Sequence, residues 1–249
     1  MMNDLWDRHA RRQQPGSSEP LLNAPSVVLV LLAAFVAIHV IRSFLSEDAD
    51  IWTLLTLAFI PARYVYPASE FPGGVGAQVW TFVTHLFLHG SWTHLLVNCF
   101  WMLAFGTVVA RRLGAVGFLI LSAICGIAGA TLHLLIYWGE LSPVIGASAA
   151  ISGQMAAAIR LMFAGHGGIM AATRMDPRYV RPLSLAETFA HRGALGFIVI
   201  WFGINILFGV LSFGAGEGGA IAWQAHIGGF LAGLLCFGPV DRWVQRSAD

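Results

Sequence analysis

Six apolar runs, each about as long as a bilayer is thick, leave this chain few folds to choose from. A membrane-crossing helix needs about 20 mostly apolar residues. Runs of that size occupy residues 26–45, 92–110, 115–138, 145–164, 194–213 and 221–239. Inside hydrocarbon every backbone amide and carbonyl must find a partner within the protein, so such runs become helices. Composition agrees, with 57% of the 249 residues hydrophobic and 11% charged, against about 25% charged in a soluble domain. The expectation is an all-α membrane protein, a bundle of six transmembrane helices.

All 14 basic residues are arginines, and arginine placement sets orientation. With both termini cytoplasmic, twelve arginines lie inside and only Arg42 and Arg63 lie outside. The chain then divides into a cytoplasmic tail over 1–25, a membrane domain over 26–240 and a second cytoplasmic tail over 241–249. The first apolar run is too long for a signal-peptide core and lacks a small-residue cleavage site. A net charge of +1 with scattered basic residues gives no sign of a nucleic-acid partner. Cys99, Cys125 and Cys236 sit in apolar segments and have neither disulfide nor metal-ligand spacing.

Two connections are long. The outer one, 46–91, contains an apolar decamer over 51–60, too short to span and ended by Pro61. It reads as an interfacial or re-entrant helix, followed by turns at Gly73, Gly74 and Gly76. The inner one, 165–193, is polar and rich in arginine, a solvated loop with short helical pieces.

Reactive side chains stand out against this apolar background. Ser148 and His226 lie 78 positions apart, each within a membrane run that needs no nucleophile or titratable group to span. Ionisable residues in such places are costly and read as functional. Asn98 precedes Arg111 by 13 residues, Ser148 precedes Arg160 by 12, and His226 precedes Pro239 by 13. At 1.5 Å per residue all three reach a common level about 18–20 Å above the inner ends of their helices. Small residues accompany them: Gly146 beside the serine, and Gly229 and Gly233 after the histidine. Small residues let membrane helices meet backbone to backbone, which a serine–imidazole contact requires. His94 and Asn98 are four apart on one helix face and can donate to a developing oxyanion, as can the amide of Ser148. His85 and His89 have the spacing of a helical zinc pair, but the glutamate of the His-Glu-x-x-His pattern is missing and the six runs hold no Asp or Glu. Structural contacts that steady the outer loop are the expected role of this pair. Three readings stay open on the residues alone: a serine hydrolase, a non-catalytic binder of membrane helices, and a histidine-based metal or haem protein.

The motifs His94-Leu-Leu-Val-Asn98, Gly146-Ala-Ser148 and Ala225-His226-Ile-Gly-Gly229, continuing to Gly233, appear in that order on three successive even-numbered runs. In this the chain resembles the rhomboid intramembrane serine proteases. The resemblance implies a six-helix bundle with a long outer L1-type loop and an outward-facing cavity. It implies Ser148 as nucleophile, His226 as general base and acid, and an oxyanion hole from His94, Asn98 and the Ser148 amide. It implies no cofactor and no metal, with transmembrane proteins as substrates and the bilayer, expected to be a bacterial inner membrane, as the other partner. The chain departs from the family pattern at Ala149 (commonly Gly) and at Ser152, where an aromatic often packs on the histidine. Thr81 follows Trp80 where the family has Arg, and Ala110 replaces a glutamate before the arginines. The support of His226 is thus left open.

Overall fold

The computed structural model describes residues 24–164, 176–210 and 222–247. Among the described residues the backbone is helical, apart from turns and one antiparallel bridge between Phe59 and Val144. Helix α1, Ser26–Ser43, starts just after Pro25 and buries only Val28 and Phe35. Val30 and Ile41 on it are more than half exposed, as are Phe100, Val116, Leu135 and Ile200 elsewhere. Water would penalise so wide an apolar surface, whereas lipid accepts it. Among the described residues three helical stretches are long and apolar enough to cross a membrane: Ser26–Ser43, Trp92–Ile136 and Trp223–Arg246. The protein is an integral membrane protein built of helices.

Helix α2, Glu47–Leu57, occupies the place of the expected short helix but begins earlier. The Ser46 hydroxyl accepts from the Ala49 amide, and Glu47, Asp48 and Asp50 fill the first turn. A cap and acidic residues there stabilise an N-terminus. The helix stops at Leu57 because Ala58 is extended and leads into the Phe59–Val144 bridge. Arg42 pairs with Asp50 at 2.7 Å and also donates to the His89 carbonyl at 2.9 Å, tying α1 to the far end of this segment.

Helix α3, Gly74–Thr84, completes the segment. Trp80 Nε1 donates to the Thr56 carbonyl at 3.0 Å and Thr84 Oγ1 to Leu57 at 2.7 Å, so α3 holds α2 through its backbone. Arg63 is buried, donates to the Pro72 carbonyl and lies over the Phe71 ring. These contacts anchor the segment without an arginine after Trp80.

Helix α4, Trp92–Trp101, is capped by Ser91 and passes through a π-turn at Met102–Gly106 into α5, Thr107–Ile136. The 45-residue stretch is not one rod, because Gly114 interrupts it with φ 66° and ψ 178°. Only glycine adopts that conformation readily, and the break falls between the second and third expected runs. Helix α6, Ser148–Met162, is the centre of the molecule: every residue from Ala149 to Leu161 is buried. With 15 residues it is only about 22 Å long, short of a hydrocarbon core of about 30 Å.

Helix α7, Leu185–Ala190, is a short piece with a capping box between Ser184 and Glu187. Helix α8, Arg192–Val210, lies at the edge of the bundle, and α9, Trp223–Arg246, packs along α5 and α6. The last run was expected to end at Pro239, but α9 continues to Arg246. Proline removes one backbone hydrogen bond. The following turn is held instead by buried Val240 and by Asp241, which Arg112 grips at 2.6 Å.

Candidate active site

The α5–α6 connection is fixed at two points before α6 begins. Val144 pairs with Phe59, and the Gly146 amide donates to the His85 carbonyl at 2.9 Å. Gly146 then turns with φ 113°, a region that side chains rarely enter. A methyl group there would also stand 2.7 Å from His94 Nε2. The turn sets Ser148 as the first residue of α6, where backbone amides have no helical acceptor.

His226 reaches the serine because α6 and α9 meet backbone to backbone. A Cβ on Gly229 would collide with the Ala149 carbonyl, and one on Gly233 with the Gly153 carbonyl. At this separation His226 Nε2 lies 2.8 Å from Ser148 Oγ. Next to Gly146, α4 presents His94 and buried Asn98. His94 Nδ1 accepts weakly from the Gly90 amide at 3.5 Å, which leaves Nε2 as the N–H facing Gly146. Asn98 Nδ2 gives one proton to the His94 carbonyl at 2.9 Å and stands 3.8 Å from the same point over Gly146. Two side-chain donors thus lie over Gly146, two residues before the serine that opens α6. Such a constellation can polarise a carbonyl while the hydroxyl attacks it.

The Rhomboid domain family profile matches residues 76–240, about two thirds of the chain. This chain belongs to the rhomboid family. It is 26% identical to "Rhomboid protease GlpG" of Yersinia pestis (strain Pestoides F) over 213 residues, covering 85% of this chain and 62% of that protein. It is 28% identical to "Rhomboid-like protease 3" of Toxoplasma gondii over 187 residues, covering 73% of this chain and 58% of that one. The chain thus spans a little under two thirds of the length of these curated relatives.

The structure brings Ser148 against His226 and places His94 and Asn98 beside Gly146, while Gly229 and Gly233 lie where α9 meets α6 at Ala149 and Gly153. His85 and His89 do not form a helical pair, because the chain turns extended at Leu88 between them. His85 is structural as expected, bonding the Thr81 carbonyl through Nδ1 at 2.8 Å. The departures have local explanations. Ala149 is buried with its carbonyl against Gly229. Thr81 turns its hydroxyl back onto the Ala77 carbonyl. Arg112 pairs with Asp241 rather than with a glutamate at position 110. Ser152 bonds the Ser148 carbonyl at 2.7 Å and gives no support to the histidine.

One residue escaped the sequence reading. Asn205 of α8 lies 2.7 Å from His226 Nδ1 through its Oδ1. It stands in the middle of an apolar run, where a polar amide was a signal that was overlooked.

Proposed function

We propose that this rhomboid is an intramembrane serine endopeptidase that cuts transmembrane segments of other membrane proteins. The observation that carries the reading is the 2.8 Å contact between Ser148 Oγ and His226 Nε2, with the His94 and Asn98 donors beside Gly146. Ser148 attacks a substrate carbonyl and gives its proton to His226. The oxyanion forms among His94, Asn98 and the Ser148 amide. His226 protonates the leaving amine, and water then releases the acyl group by the reverse sequence of proton transfers. No cofactor takes part.

In this reading the chain crosses the membrane six times, through α1, α4 together with the part of α5 before Gly114, the part of α5 after it, α6, α8 and α9. Residues 1–25 and 241–249 form cytoplasmic tails around the 26–240 membrane domain, with the twelve-to-two arginine bias supporting both termini inside. A bacterial inner membrane suits that topology. In this reading the serine lies roughly 10 Å below the outer edge of a core about 30 Å thick, within reach of water from the outer face, and the shortness of α6 supports that depth. A regular helix hides its carbonyls, so scission should fall in the outer third of a substrate span, near glycine or other helix-weakening residues.

Mass spectrometry of both fragments of a model substrate locates the bond. Cuts on the cytoplasmic side would contradict topology and depth together. A fluorophosphonate probe tests the nucleophile separately, since only an activated serine labels. Absence of labelling at Ser148 would favour a non-catalytic helix-binding role.

A further inference from the structure

His226 makes a second hydrogen bond that a serine–histidine pair alone does not require. Its partner, Asn205 Oδ1, lies 2.7 Å from Nδ1. Asn205 sits on α8 among Ile204, Ile206 and Leu207, whose side chains are exposed. A primary amide in such an apolar helix is unfavourable unless both of its ends are engaged. Both are: Nδ2 donates to the Trp201 carbonyl, one turn earlier, at 2.8 Å.

These two bonds together settle which way the amide faces. A backbone carbonyl can only accept, so the group toward Trp201 is the NH2. The group toward His226 is then Oδ1, which also can only accept. The imidazole proton must therefore sit on Nδ1. In the neutral ring Nε2 is then the bare nitrogen, and it is the one facing the Ser148 hydroxyl. Without an acceptor at Nδ1 the ring is free to carry its proton on Nε2 instead. That tautomer presents N–H to the serine and cannot take its proton.

A second feature holds α8 in register for this contact. Trp201 stacks on Phe230 of α9 with centroids 4.5 Å apart and planes 23° from parallel. Trp201 and Asn205 are one turn apart on α8, and His226 and Phe230 are one turn apart on α9. The helices run antiparallel, so the two pairs form adjacent rungs, one apolar and one polar. The stacked rung sets the height at which the amide meets the imidazole.

We infer that Asn205 is a positioning residue that fixes the tautomer and ring plane of His226. It fills the role a carboxylate has in a serine triad and the place left by Ser152, whose hydroxyl is spent on the Ser148 carbonyl. Being neutral, it does so without burying an anion in lipid. As Ser148 attacks, its proton moves to Nε2, and Nδ1 keeps its own proton and its bond to Oδ1. Asn205 takes no proton at any step. The effect on rate rests on the protease reading; the tautomer is a property of the resting protein.

The test uses the full chain, labelled with ¹⁵N-histidine in lipid nanodiscs. The His226 signals are identified by their loss in His226→Gln. The wild type should show a protonated Nδ1 and a bare Nε2. Asn205→Leu should shift the ring toward a protonated Nε2 and lower kcat about two- to tenfold, the scale of one ordinary hydrogen bond, with KM little changed. Asn205→Asp keeps an acceptor in the same place and should restore both signatures. Where Asn205→Leu does not fold, Asn205→Ala removes the same acceptor. An unchanged tautomer in the Leu or Ala variant overturns the inference, even if the rate falls, because the loss would then come from packing. So does an Asp variant that behaves like Leu. A wild type that neither cleaves nor labels, yet loses its Nδ1 proton in Asn205→Leu, would sink the protease reading and leave the positioning role standing.

Discussion

At the arginine end of the bundle Arg112, Arg160 and Asp241 are bound to partners; at the serine end His94 and Asn98 hold donors over Gly146. Arg112 grips Asp241 with two bonds, at 2.6 and 2.9 Å, and donates to the carbonyls of Pro177, Arg178 and Val180. Arg160, also buried, donates to the carbonyls of Leu183 and Leu234 and lies over Phe237. These contacts lock the segment before α7 onto α9. Around Ser148 the picture reverses. His94 and Asn98 point donors at a common spot over Gly146. The contrast teaches how one bundle divides its work. Saturated charges hold the fold, and unsaturated donors at a glycine-lined crossing are available to a reacting group.

The largest test of that division is Ser148→Ala or His226→Ala. Each should abolish cleavage of a model substrate while the melting temperature in detergent hardly moves. The double variant should be no worse than either single one, since the pair acts as a unit. Substantial turnover by purified Ser148→Ala would end the assignment.

Asp241→Ala is the counterpart at the other end. It leaves the Arg112 guanidinium buried without its partner, which typically costs about 3–5 kcal/mol. Thermal unfolding should show that loss, while the folded fraction keeps a near-normal kcat. A variant as stable as the wild type would break the comparison at its structural side.

Removal of one oxyanion donor comes next. Asn98→Ala and His94→Ala should each lower kcat by about 10²–10³ and leave measurable activity, with stability close to normal. Wild-type turnover in both would remove the donors from the mechanism.

The smallest effect belongs to the exposed face beside α7. Glu187 bonds Arg181 and the Ser184 amide, and these hold its pKa down from 4.5 to about 2. Because the folded value is depressed, its stabilisation is complete above pH 4.5 and disappears as pH falls toward about 2,. The melting-temperature gap between wild type and Glu187→Gln should therefore be constant above that range and close within it. High salt should shrink it at every pH. A gap that widens on acidification would reverse the assigned sign.

The sequence by itself determined the helical, membrane-embedded character of this protein, because apolar runs of bilayer length admit almost no other backbone. It also singled out Ser148, His226 and the His94–Asn98 pair on α4, α6 and α9, since each is a polar group within an apolar run. Small residues announced the α6–α9 crossing for the same local reason. What lay outside its reach depends on neighbours far along the chain. Pro239 looked like a helix end, and only Asp241 in the grip of Arg112, 129 residues away, carries α9 on to Arg246. The decamer over 51–60 was visible, yet its boundaries follow from the Ser46 cap and from Phe59 pairing with Val144. Asn205 was legible only as an oddity in an apolar run. Its meaning required α8 and α9 to be laid antiparallel with Trp201 stacked on Phe230, because a hydrogen bond depends on where two helices meet, and no periodicity within either helix records that.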